Sequence, residues 1–103
     1  MIKTPEITIN GKVYKAAVPK AAFWRKMVKF EETVKSVEDG DYLAAYADII
    51  AEAFGAEEVT GDAVLDSLNI DQVKPLYLEI WGWLFQLVNS KLEQIPNAES
   101  PEA

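Results

Sequence analysis

The side chains able to do chemistry in this chain are carboxylates and hydroxyls, because it contains neither histidine nor cysteine. That composition removes thiol nucleophiles, structural zinc sites, disulfide staples and the imidazole general base, and leaves metal ligation to oxygen alone. Ser36, Ser67, Ser90 and Ser100 have no histidine to activate them, and Gly55 and Gly61 flank an acidic segment rather than building a phosphate loop. Asp39, Gly40 and Asp41 resemble the start of a calcium loop, but counting on from Asp39 puts Ile50 where the closing glutamate is required. Glu57, Glu58, Asp62 and Asp66 could gather around magnesium. Acidic residues near a helix start are equally what the helix dipole favours. Paired carboxylates need a cleft to separate their pKa values for acid and base work, and every pair here reads as solvated. The expectation is a non-catalytic protein without metal or cofactor.

Charge is unevenly distributed. Residues 1–35 hold eight Lys/Arg against three Glu, whereas residues 36–103 hold two Lys against fourteen Asp/Glu, within a net charge of −7. Lys20, Arg25, Lys26 and Lys29, with Phe23 and Trp24 among them, could suggest nucleic acid. The field of the whole chain repels phosphate, and a pI of 4.5 is far from that of basic nucleic-acid modules. Two readings of the basic end stay open. It is a solvated polar surface, or it meets Glu57, Glu58 and Asp62 at the acidic end of another copy.

A chain of 103 residues, 50% hydrophobic and 26% charged, is expected to form one domain over residues 1–95, with a flexible polar tail over 96–103. The opening MIKTPEITING lacks the apolar core of a signal peptide. The uncharged run from Ile80 to Ser90 is shorter than the roughly 20 residues needed to span a bilayer. A soluble, unexported protein is expected, with no membrane partner.

The elements that must position these groups are mainly helical. Asn10-Gly11 between alternating β-formers predicts a hairpin over residues 6–16, with Ile7, Ile9 and Tyr14 on one face and Glu6 opposite Lys15. Pro19 suits the first turn of a helix running to about Val37, whose core stripe is Phe23, Met27, Phe30, Val34 and Val37, widened by Trp24 and Val28. Glu31 and Lys35 are spaced to pair. Gly40 is expected to break this helix and Asp41 to cap the next, from Tyr42 to about Phe54, which Gly55 ends. Thr60 is expected to cap a short helix from Gly61 to about Leu68, and Asp71 the last helix, with Pro75 in its first turn. The predicted fold is a small four-helix bundle-like domain with the N-terminal β-hairpin packed on it.

The last helix is apolar on nearly every side. Val73, Tyr77, Ile80, Leu84 and Leu87 form one stripe, extended to Lys91, while Leu78, Trp81, Phe85 and Val88 form another, extended to Leu92. Either both stripes are internal, or one is a partner or self-association face that includes Leu78, Trp81, Phe85 and the neighbouring Trp83. Gly82 costs about 1 kcal/mol in a helix relative to alanine. Close approach by another helix, within the fold or across a subunit contact, would compensate, and a kink is the lesser alternative.

Taken in order, the hairpin ITINGKVYKA, the helix FWRKMVKFEE, the segment IIAEAFG with acidic EEVTGDAVLD, and the ending LVNSKLEQIPN resemble the tail assembly chaperones of long-tailed bacteriophages, those of Gram-positive hosts and prophages in particular. The resemblance runs over about residues 6 to 97 and rests on pattern rather than on a sharp motif. It implies a binding protein that coats the aggregation-prone tape measure protein in the host bacterial cytoplasm, gives way to tail tube protein, and is absent from the mature virion. Many members also have a longer, frameshifted form that recruits the tube protein, and this chain would be the short form. The alternative is a small acidic helical regulator or adaptor, antitoxin-like, that binds one globular partner.

Overall fold

The computed structural model describes residues 3–94, with side chains described to Asn89. Lys91, Leu92 and the tail expected from Pro96 lie outside the described side chains. Strands β1 (Glu6–Ile9) and β2 (Lys12–Lys15) are followed by helices α1 (Ala21–Thr33), α2 (Tyr42–Phe54), α3 (Gly61–Ser67) and α4 (Val73–Gln94). The protein is thus mainly α, with four helices and an N-terminal hairpin packed against them.

The hairpin has the predicted register, with Glu6 opposite Lys15 and Ile9 opposite Lys12. Asn10 and Gly11 both take positive φ, 53° and 80°, as a type I′ turn requires. Ile7 and Ile9 are buried, and β1 rests against α3. The chain leaving the hairpin is tied to α2, because the Ala17 N–H donates to the Ala53 carbonyl at 3.3 Å. A two-stranded hairpin is marginal alone, so this docking is what holds it.

Helix α2 is the centre of the core. Tyr46, Ala47, Ile49, Ile50, Ala53 and Phe54 are all buried, and the helix packs against α1, α3 and α4. Each fully buried large aliphatic residue contributes about 1.5–3 kcal/mol relative to an exposed one. Gly55 stops the helix at φ 67°, with its N–H on the Ala51 carbonyl. Thr60 caps α3, its Oγ1 accepting from the Ala63 N–H at 3.1 Å.

Several expected boundaries are corrected. Helix α1 begins at Ala21, two residues after Pro19, and ends at Thr33; Val34–Ser36 continue it as a tighter 3-10 turn. Hydroxyls cause competition there: Thr33 Oγ1 donates to the Phe30 carbonyl and Ser36 Oγ to that of Thr33. Gly40 does not break α1. It sits in a separate 3-10 turn over Asp39–Asp41, and Asp41 makes no side-chain cap bond to α2. Asp71 does not cap α4 either. The Gln72 carbonyl accepts the Leu76 N–H, while the Gln72 side chain reaches back to accept from the Asn69 N–H at 2.7 Å. Glu31 forms no ion pair with Lys35, since it accepts a hydrogen bond from Tyr77 instead.

Candidate protein-binding surface

The two stripes of α4 separate cleanly. Val73, Tyr77, Ile80 and Leu84 are buried, and Leu87 packs partly buried against the core. Leu78, Phe85 and Val88 are 61%, 52% and 57% exposed, and Trp81 is half-buried. Trp83 is corrected: it is a core residue, sealed at 4% exposure. At roughly 100° per residue, positions two apart lie on opposite sides of a helix. Trp83 therefore follows Ile80 into the interior, and Trp81 follows Leu78 outward.

Helix α1 reaches this exposed stripe through rings. Trp24 packs edge-on against Trp81, with centroids 5.2 Å apart, and against Phe85 at 5.1 Å. Val28, one turn along α1 from Trp24, is 40% exposed. Trp24 packs partly buried against the core, as its place in the core stripe predicts, and its ring also borders this apolar surface, whereas Val28, expected beside it, stands exposed. Their spacing was the available signal, because α1 carried more apolar width than one core contact uses. Such edge-to-face pairs contribute about 0.5–1.5 kcal/mol beyond area burial, so the rings hold one another in place.

A polar chain orients the surface from below. Trp81 Nε1 donates to Tyr77 Oη at 2.7 Å, and Tyr77 Oη donates to Glu31 Oε2. Burial first, then the bond to Glu31, pushes the Tyr77 hydroxyl well above its ordinary pKa, so it stays protonated as a donor. The ring network continues inward, with Tyr77 against Tyr46 at 4.8 Å and Phe30 against Tyr46 at 5.1 Å. Tyr46 is pushed up to about 12, chiefly by burial and then by its contact with Tyr42. Tyr42 moves the other way, held down by its hydrogen bond to Tyr46 and by Lys74, which donates to Tyr42 Oη at 3.0 Å.

Of the basic residues singled out in the sequence, Lys26 is spoken for within its own chain. Its Nζ lies 2.9 Å from Glu52 Oε1. Lys20, Arg25 and Lys29 are exposed and make no ion pair among the described residues. Glu57 and Glu58 lie exposed on the α2–α3 connection, and Asp62 in the first turn of α3. Among the described residues, no three acidic groups converge so as to hold a metal ion. No helix among the described residues is long and apolar enough to cross a membrane.

Gly82 has nothing within 4 Å of where a Cβ would sit. Among the described residues no other helix approaches it at that point, so they give no internal packing reason for this glycine. It lies at the open edge of the stripe formed by Leu78 and Phe85. The chain matches no protein family, no curated protein and no solved structure.

Proposed function

We propose that this protein is a non-catalytic tail assembly chaperone that binds the tape measure protein of a long-tailed bacteriophage and keeps it soluble during tail morphogenesis. The observation that supports the reading most is the apolar stripe of Leu78, Phe85 and Val88, left exposed beside Trp24 and Trp81 after the core has closed. Contiguous apolar surface of this kind on a small domain marks a place where another chain is buried. A chaperone needs such a surface, and it needs release. Half-exposed rings with ordinary packing suit reversible contact better than a sealed core does. The reading places the protein in the host bacterial cytoplasm, with self-association along the client, hand-over to tail tube protein through a frameshifted longer form, and no place in the mature virion.

Co-expression with the tape measure protein encoded in the same genome tests it. The expected outcome is soluble tape measure carrying many copies of this chain, counted by native mass, with the yield collapsing in the Phe85→Ser variant. A fixed one-to-one complex with a globular protein would favour the adaptor reading. Insoluble tape measure in the presence of the folded wild-type chain would overturn the proposal.

A further inference from the structure

The exposed stripe of α4 has a spacing that says what it can hold. Leu78, Trp81, Phe85 and Val88 follow one another by three, four and three residues, which is the heptad rhythm of a two-helix seam. The core stripe of α4 meets its neighbours inside the fold, whereas Leu78, Phe85 and Val88 stay exposed and the Trp24 ring of α1 packs on Trp81 and Phe85. Gly82, beside this exposed stripe, leaves open room for a close approach. Because the backbone groups of two helices are already used internally, the surface offers no strand edge, and only side-chain packing is available to a partner.

Where α1 begins, a cleft of about 350 Å³ opens between Ala21, Trp24, Leu84, Leu87 and Val88, with Lys20 also lining it. That is near the lower end of ligand clefts, which run roughly 300–1,000 Å³. It suits one or two large side chains. Arg25 and Lys29 lie together on one side of Val28 on the helical wheel of α1, away from Trp24, and with Lys20 they give this side a basic edge whose cations make no ion pair among the described residues. A second copy seated face to face would bring two such edges together, which like-charge repulsion opposes.

Resting on the chaperone reading, we infer that the α1–α4 seam accepts a heptad-patterned amphipathic helix of the client, with one large apolar side chain in the cleft and a carboxylate-bearing edge against Lys20, Arg25 and Lys29. The full chain is titrated with two synthetic three-heptad peptides that lack tryptophan, one carrying Glu and the other Lys at the positions flanking a leucine seam. Trp24 and Trp81 fluorescence reports binding. The Glu-edged peptide is expected to bind about tenfold more tightly, as a few partly exposed charge pairs allow. The preference is expected to shrink as salt shortens the screening length below about 8 Å. It reverses in Arg25→Glu/Lys29→Glu, and Phe85→Ser weakens both peptides. Leu78→Lys serves as the second surface variant if Phe85→Ser melts early.

Equal affinities, a preference that survives charge reversal, no binding of either peptide, or a dimer of this chain that occupies the seam would each overturn the inference. The two proposals fail separately. A chain that solubilises tape measure without discriminating between the peptides loses the seam assignment alone. One that discriminates but leaves tape measure insoluble loses the chaperone reading alone.

Discussion

The two sides of α4 carry nearly the same chemistry and end in opposite surroundings. Val73, Tyr77, Ile80 and Leu84 face the core built around α2, whereas Leu78, Phe85 and Val88 stay exposed. Hydrophobicity alone does not separate them. What separates them is supply: α2 covers one side of α4, while on the other the ring of Trp24 from α1 packs on Trp81 and Phe85 and leaves Leu78, Phe85 and Val88 exposed. The inner side therefore carries stability, and the outer side has apolar area left for a partner.

Unfolding by urea sharpens this contrast most. Ile80→Ala is expected to cost about 2–5 kcal/mol, as core truncations do, while Leu78→Ala stays within about 0.5 kcal/mol. Equal losses would break the distinction between the sides. The alkaline limb comes next. Tyr46 and Tyr77 have folded pKa values raised above the unfolded value of 10.0, so the unfolded chain releases its protons first. Their contribution is fully present below pH 10 and is lost as pH rises through the folded values, which for Tyr46 is about 12. The lowered Tyr42 opposes this in part. Thermal melts from neutral pH upward check it, and stability that rises across that window would contradict the buried tyrosines.

Tyr77→Phe removes the link between Trp81 and Glu31. It is expected to cost about 1 kcal/mol and to shift tryptophan emission to the red, because Trp81 loses its anchor while remaining at the surface. An unchanged spectrum would show that the outer surface is held by ring packing alone. The smallest effect belongs to Gly82→Ala, which meets open space. It is expected to stabilise the monomer by about 0.5–1 kcal/mol and to weaken partner binding. Destabilisation would mean that the glycine serves the fold rather than the contact.

Local chemistry made much of this legible. Asn10-Gly11 specified the hairpin and its register, Gly55 the end of α2, and Thr60 the cap of α3, because each acts within a few residues of itself. The misread boundaries were places where local partners compete. Hydroxyls at Thr33 and Ser36 tightened the end of α1, and Gln72 with Asn69 took the role expected of Asp71. The candidate surface was half legible. The spacing names the stripe of Leu78, Trp81 and Phe85, but it also groups Trp83 with them and turns Val28 inward. Sequence proximity suggested the first error and apolar character the second.

By itself, the sequence determined that α4 has two apolar stripes at a set angle, that α1 carries an apolar stripe wider than one contact, and that positive charge gathers near the start. Periodicity sets angles around a helix axis and nothing about what lies beyond it. Only tertiary packing decided which stripe α2 would cover, that Trp83 would be sealed while Trp81 stayed at the surface, and that Lys26 would be neutralised by Glu52 while Arg25 and Lys29 were not. Those outcomes depend on where neighbouring helices come to rest, and that placement is a property of the whole folded chain.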